Sequence, residues 1–201
     1  MHFKKSNIEI VNLFRKNIFL EKTIRELSII LDKDYPNTYN SVSELSKNNI
    51  INVKRVGKSK LISIKLSLES FALLSFLDIN ESISKKIPNI DKVLGLKELN
   101  NDIILVTGSY SKNKETSKSD IDLVIITKEE VFKKQKLIEN LTSLFHPKFH
   151  VIIISTKDFS DMLLDKKPNF GKEIFNSKLI FKNAESYYII IKEAVENGFR
   201  G

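Results

Sequence analysis

The stretch from Asn101 to Thr127 constrains the fold of this chain more than any other. An apolar run, Ile103 to Val106, ends at Gly108-Ser109, and a second apolar run, Leu123 to Ile126, follows after a polar interval. Short apolar runs bounded by turn residues are typical of buried strands. The stretch therefore predicts two core strands of one sheet, joined by a glycine turn, a short helix and a loop.

Two aspartates precede the second of these strands. Asp120 and Asp122 are two residues apart, so strand alternation places their side chains on the same face of the sheet. Two adjacent carboxylates are costly unless a cation lies between them, and Mg²⁺ is commonly held by one or two protein carboxylates together with phosphate and water. Gly108 allows the backbone to approach a phosphate, and the helix that follows offers free N–H groups.

The order of these residues is similar to a known signature. Gly108-Ser109, ten intervening residues and then Asp120-Ile121-Asp122 running into a strand resemble the DNA polymerase β-like nucleotidyltransferase superfamily, and within it the minimal nucleotidyltransferase branch. The resemblance implies that Asp120 and Asp122 are catalytic and bind Mg²⁺. It also implies that Gly108, Ser109 and Ser119 bind ATP or another nucleoside triphosphate. The alternative is a polar loop between two buried strands, with Asp120 as a turn residue.

The sequence departs from this pattern at one position. Catalytically competent members usually carry a third carboxylate on the strand that we place at 149–155, and the matching position here is His150. A neutral imidazole can act as a general base near neutral pH, but it is a poor ligand for Mg²⁺. We therefore expect His150 to be catalytic in place of the acid, with a strand-end histidine of purely structural role as the alternative.

The positive charge is concentrated in the N-terminal third of the chain. The formal net charge is +8, and residues 1–70 hold 13 Lys and Arg against 7 Asp and Glu. A basic segment followed by a nearly neutral remainder indicates a nucleic-acid-binding surface.

The same third shows three helical patterns followed by a hairpin pattern. Apolar residues recur at helical spacing from Asn7 to Asn17, and Thr23-Ile24-Arg25-Glu26 is a capping box that begins a second helix. A third helix is predicted at about 36–48, where Pro36 suits the first turn. Two alternating runs around Gly57-Lys58 then predict a β-hairpin.

This order of elements resembles a winged helix-turn-helix domain over residues 1–68. The resemblance implies that the third helix reads double-stranded DNA in the major groove and that the hairpin contacts phosphates. A protein-interaction module is the alternative. The expected DNA-binding residues are Asn37, Asn40, Ser41 and Lys47 on the helix, and Lys54, Arg55, Lys58 and Lys60 on the wing.

These patterns together predict an α+β protein. We expect a winged helix-turn-helix at 1–68, a linking helix at 69–87, and a small mixed-sheet nucleotidyltransferase α/β domain at 88–201. The absence of cysteine fits a reducing compartment, and no apolar run reaches transmembrane length. We therefore expect a cytoplasmic protein without a membrane partner.

Three functions fit the sequence. The first is an enzyme that transfers a nucleotide, AMP from ATP in the simplest case, to a protein or nucleic-acid hydroxyl with Mg²⁺; the resemblance implies an antitoxin-like autoregulator with a toxin protein as partner. The second is a transcriptional regulator whose transferase domain is a degenerate nucleotide sensor. The third is a transferase acting on RNA. By analogy with other winged-helix readers of palindromic DNA, a homodimer is expected.

Overall fold

The computed structural model describes residues 3–201. These residues divide into two compact units, the first ending at Leu77 and the second spanning Asp78–Gly201. The boundary falls within one helix. Each unit contains helices and a β-sheet, so the expected α+β class is confirmed. Among residues 3–201, no helix is both long enough and apolar enough to span a membrane.

The first unit consists of three helices and a three-stranded antiparallel sheet, followed by the start of a fourth helix. Strand β3 lies between β1 and β2, and β2 and β3 form the expected hairpin. The elements are α1 (Lys5–Lys16), β1 (Lys22–Thr23), α2 (Ile24–Ile30), α3 (Tyr35–Lys47), β2 (Ile51–Val56), β3 (Ser59–Ile64) and α4 (Leu68–Ser84).

Helix α2 begins at the predicted capping box. The Thr23 backbone N–H and hydroxyl both donate to Glu26 Oε2 at 2.8 Å, and the Glu26 N–H donates to Thr23 Oγ1 at 3.2 Å. These bonds satisfy donors that the first helical turn leaves without a backbone partner. The pKa of Glu26 is lowered from 4.5 to about 2. The largest cause is the hydrogen bond from the Thr23 backbone, followed by those from the Thr23 hydroxyl and Lys22.

The two faces of the hairpin differ. Opposite partners Ile51 and Ile64, and Val53 and Ile62, lie on the face that packs on the helices, and this face continues outward to Arg55 and Lys60. Because side chains alternate along a strand, Lys54 lies on the opposite face. The hairpin therefore presents Arg55 and Lys60 on the same side as α3, with Lys54 turned away.

One predicted DNA contact is wrong in its orientation. Ser41 was expected on the outer face of α3, but it is 4% exposed, and its hydroxyl lies 2.7 Å from Ser6 Oγ. This bond ties α3 to α1. Val42 and Leu45 are buried, and the inward-facing side of α3 is wide enough to include Ser41.

The second unit is a four-stranded mixed sheet with helices on both faces. The strand order is β6-β5-β4-β7, with β5 and β6 parallel and the other pairs antiparallel. The elements are α5 (Ile90–Leu94), a 3-10 turn (Lys97–Leu99), β4 (Ile103–Thr107), α6 (Gly108–Ser111), β5 (Ile121–Thr127), α7 (Val131–Thr142), β6 (Phe149–Ser155), α8 (Thr156–Leu164), α9 (Phe170–Asn176), β7 (Leu179–Lys182) and α10 (Ala184–Glu196).

Alternation along β5 assigns its residues to the two faces of this sheet. Ile121, Leu123 and Ile125 pack in one core cluster with residues of α5 and α7. Asp122 and the residues in step with it face the other side, where α8 and α10 contact the sheet. The N-terminal end of β5 therefore places a carboxylate on the α8 side.

A buried polar network lies at the other end of the same strands. Lys134 of α7 donates to Asp102 Oδ1 at 3.0 Å and to Thr127 Oγ1 at 2.8 Å, and Nζ lies 2.7 Å from Asp102 Oδ2. Lys134 is only 7% exposed, although it lies in a lysine-rich helix. Leu144 is 87% exposed, because α7 ends before it.

The depressed pKa of Glu26 predicts a specific acid dependence of stability. The bonded carboxylate stabilises the fold fully above pH 4.5, and this contribution is lost as the pH falls toward 2. We expect Glu26→Gln to unfold at lower urea concentration than the wild type at neutral pH, and the difference to disappear across that window. Urea titrations followed by circular dichroism measure it. Glu21→Gln, an exposed glutamate outside the capping box, is the control, and equal loss in both variants would contradict the prediction.

Candidate active site

Three predicted site residues meet at one end of the sheet. In the strand register, Asp122 of β5 lies opposite Thr107 of β4 on one side and opposite His150 of β6 on the other. Gly108 follows Thr107 directly. The antiparallel register of β4 with β5 and the parallel register of β5 with β6 therefore bring the glycine turn, the second aspartate and the histidine to the same edge.

Gly108 approaches Asp122 so closely that a side chain on it would displace the carboxylate. Its φ is +69°, a left-handed value that favours glycine, and a Cβ built on it would lie 1.9 Å from Asp122 Oδ2. The predicted need for glycine at this turn thus has two physical reasons, the backbone conformation and the contact with a carboxylate.

The side chains of Asp122 and His150 interact. His150 Nδ1 lies 3.3 Å from Asp122 Oδ1, and the side chains are 65% and 33% exposed for His150 and Asp122 respectively. The histidine at the expected third-carboxylate position therefore reaches the aspartate.

Asp120 is exposed and lies just before β5, separated from Asp122 by the fully buried Ile121. Its charge acts on Tyr110 of α6. Burial raises the pKa of the Tyr110 phenol, and the charges of Glu115 and Asp120 raise it further. The phenol next to this edge is therefore neutral at physiological pH.

The predicted nucleotide-binding serines differ in their surroundings. Ser109 is half-buried in the turn, and its carbonyl oxygen accepts hydrogen bonds from the N–H groups of Lys112 and Lys114. Ser119 is bonded within its own loop, where its hydroxyl oxygen accepts from the Thr116 N–H at 2.9 Å. The structure thus brings Ser109 to the Gly108 turn and uses Ser119 to shape the loop that leads to Asp120.

Sequence reasoning missed the residue that braces the glycine turn. Thr107 Oγ1 donates to the Ser177 carbonyl oxygen at 2.8 Å, and Ser111 Oγ lies 2.7 Å from Ser177 Oγ. The Ser111 hydroxyl is also 3.0 Å from the Gly108 carbonyl oxygen. Ser177 lies between α9 and β7 and holds both sides of the turn. A serine so distant in sequence gives no local signal.

The donor set at this edge fits a hard divalent cation shared with a ligand. Within residues 3–201, no three His, Cys, Asp or Glu side chains form a group that could hold a metal ion by themselves. Asp120 and Asp122 supply carboxylate oxygens, which Mg²⁺ prefers, and a bound phosphate would supply others. Because Gly108 lies against Asp122, a phosphate bound at the glycine turn would lie near the same carboxylate that could hold the cation.

The predicted DNA-binding residues lie in the first unit. Asn37, Asn40, Lys47 and the four wing residues are exposed, although the Asn37 amide donates to Asp34 Oδ2 at 2.5 Å. Lys60 differs from the others, because its ammonium lies over the Tyr39 ring at 5.0 Å from the centroid.

Comparison with known proteins supports the assignment of the second unit. Residues 90–181 match a family model described as a nucleotidyltransferase domain, and this range contains Gly108, Asp120, Asp122 and His150. This part of the second unit is therefore similar to nucleotidyltransferase domains. One similar solved structure is titled as that of TrmBL2, an archaeal chromatin protein that shows a novel mode of DNA binding. The two sequences are 14% identical, and the match covers 95% of this chain and 97% of the TrmBL2 chain. Its TM-score is 0.23. No curated protein matches the chain.

The Gly108 geometry predicts a loss of nucleotide binding on adding one methyl group. Gly108→Ala adds left-handed strain of roughly 1–2 kcal/mol and displaces the Asp122 carboxylate. Gly57→Ala, at the wing turn with φ +59° and no atom within 4 Å of the new Cβ, adds the strain alone. We expect Mg·ATP to raise the melting temperature of the wild type and of Gly57→Ala but not of Gly108→Ala. An equal ligand-induced shift in both variants would contradict this role of the turn.

Proposed function

We propose that this protein binds a nucleoside triphosphate with Mg²⁺ and transfers the nucleotide, AMP in the case of ATP, to a hydroxyl group of a protein or nucleic acid. One observation carries the proposal: Gly108 lies against Asp122 with no room for a side chain, within a domain that matches the nucleotidyltransferase family. This arrangement leaves backbone, and not a side chain, facing the place where phosphates would lie.

Each residue at the edge has a role in this reaction. Asp120 and Asp122 would hold the Mg²⁺, which when bound neutralises charge on the phosphates. Gly108 and Ser109 present backbone and a hydroxyl to the triphosphate. The acceptor oxygen forms a bond to the α-phosphorus, the bond to the bridging oxygen breaks, and pyrophosphate leaves.

In this proposal, His150 takes the proton of the acceptor hydroxyl. Its Nδ1 is directed to Asp122, at 3.3 Å, which leaves Nε2 as the ring nitrogen that can accept a proton. A carboxylate at this position would serve the same purpose in a competent family member. The histidine also supports a second candidate function, because it reduces the number of acids able to hold the metal. In that case the domain binds a nucleotide as a sensor and does not turn it over.

Label transfer distinguishes these two functions. With α-labelled ATP, Mg²⁺ and candidate acceptors, we expect the wild type to transfer label, and Asp120→Asn and Asp122→Asn to lose it because the metal-binding charge is removed. Asp158→Asn, an exposed aspartate on α8, is the control and keeps activity. Saturable ATP binding without transfer in the wild type would contradict the enzyme and support the sensor.

The substitution His150→Asp adds a sharper comparison. If His150 accepts the proton, His150→Ala lowers nucleotide transfer. His150→Asp keeps transfer only because it restores the carboxylate that competent family members carry at this position. Transfer gained by His150→Asp from an inactive wild type would establish a degenerate site. Protease or nuclease treatment of the labelled product then shows whether the acceptor is a protein, such as a partner toxin, or a nucleic acid.

We also propose that the first unit binds double-stranded DNA through α3 and the wing. The support is the charge of residues 1–70 and the placement of Arg55 and Lys60 on the α3 side of the hairpin. Cations on this face can contact phosphates while α3 lies in the major groove.

The hairpin supplies a matched test of this interface. We expect Lys58→Glu with Lys60→Glu to abolish the gel shift of duplex DNA from upstream of the gene. Lys54→Glu, on the opposite face, should change binding much less. Each lost phosphate contact should reduce the slope of log K against log salt by about 0.9. Equal effects of the substitutions on the two faces would contradict the proposed orientation.

A further inference from the structure

A small groove lies between α3 and the hairpin in the first unit. Its volume is about 180 Å³, below the roughly 300–1,000 Å³ of sites that take drug-sized ligands, so it suits one planar group. The groove is lined by Ile24, Tyr39, Val42, Ser43, Ser46, Lys47, Val53 and Lys60.

Aromatic rings are exposed at the mouth of the groove. Tyr35 and Tyr39 are one helical turn apart on α3, their ring centroids are 6.4 Å apart, and their planes differ by 30°. The two residues are 50% and 41% exposed. Partly exposed aromatic rings at the rim of a groove are suited to stacking with another flat group.

The charge at the groove is positive. The described residues that line it include two lysines and no carboxylate. Lys60 Nζ lies 5.0 Å from the Tyr39 ring centroid and 3.5 Å from its hydroxyl oxygen, which holds the ring at the groove mouth. Arg55, directly opposite Lys60 in the hairpin, extends the positive charge along the wing. The surface therefore combines a stacking ring with cations beside it.

We propose that this groove binds an unpaired base of single-stranded nucleic acid, with the base stacked on Tyr39 and the neighbouring phosphates on Lys47, Lys60 and Arg55. Proteins that bind single strands combine positive charge with aromatic rings in this way. A duplex cannot make the stacking contact, because both faces of its bases are covered by neighbouring base pairs.

This inference goes beyond duplex binding and does not depend on nucleotide transfer. It uses no residue of the Gly108 edge, so it can fail while label transfer succeeds, and the reverse. The preference between single strand and duplex is likewise separate from whether the wing binds duplex DNA at all. A site for an unpaired base gives the protein a means to distinguish melted DNA, overhangs or RNA from continuous duplex.

Fluorescence anisotropy with the full chain tests the proposal. The probes are a labelled single-stranded oligonucleotide, its duplex, and the duplex with a single-stranded overhang. Tyr39→Leu keeps apolar bulk but removes the ring, and Tyr39→Phe keeps the ring and removes the hydroxyl. We expect Tyr39→Leu to weaken binding of the single strand and the overhang roughly 5- to 150-fold, the range for the loss of one base stack. Duplex binding should change little, and Tyr39→Phe should bind like the wild type.

Melting temperatures of the variants show whether each is folded before it is compared. Lys166→Glu, at an exposed lysine of the second unit, is the control for general charge effects. The proposal is overturned if Tyr39→Leu binds the single strand as tightly as the wild type, or if it loses single strand and duplex to the same extent. It is also overturned if the wild type binds the duplex and the overhang with equal affinity.

Discussion

The pairing of Thr107 with Asp122 in the antiparallel register of β4 and β5 is the constraint on which the second unit depends. This register brings Gly108, the residue after Thr107, into contact with the Asp122 carboxylate. That contact and the left-handed backbone conformation together favour glycine at this position. The register also sets the neighbour on the other side, because the parallel pairing of β5 with β6 aligns His150 with the same aspartate. The chemistry at the edge is thus a product of strand alignment.

Much of this could be predicted from sequence because the signals are local. The two apolar runs around Gly108 and Asp122 identified the strands, since alternation and turn residues act over a few positions. The Thr23–Glu26 capping box was predicted for the same reason, and its hydrogen bonds are present. Strand β6 was placed at 149–155, as observed, because a run of isoleucine and valine bounded by polar residues has few other interpretations.

The features that sequence did not reveal depend on contacts between distant residues. Ser41 was placed on the wrong side of α3, because periodicity alone does not fix how wide the buried face of a helix is. The burial of Lys134 has no local signal, because its partners Asp102 and Thr127 lie outside its own helix. Ser177 braces a turn that lies 66 residues earlier, at Ser111, and no motif connects the two. A pattern limited to one element cannot contain such information.

The network of Lys134, Asp102 and Thr127 has a consequence for the opposite end of the sheet. Asp102 immediately precedes β4 and Thr127 ends β5. The Lys134 ammonium can therefore bond to both residues only when the two strands are aligned as they are here. Sliding β4 along β5 by one pleat would leave a charged group dehydrated and without its counterion, an arrangement that proteins strongly disfavour. Misaligned pairings of these apolar strands, which isoleucine-rich sequences otherwise tolerate, are thereby penalised. The buried network at one end of the sheet therefore fixes the strand alignment on which the exposed Gly108–Asp122 edge at the other end depends.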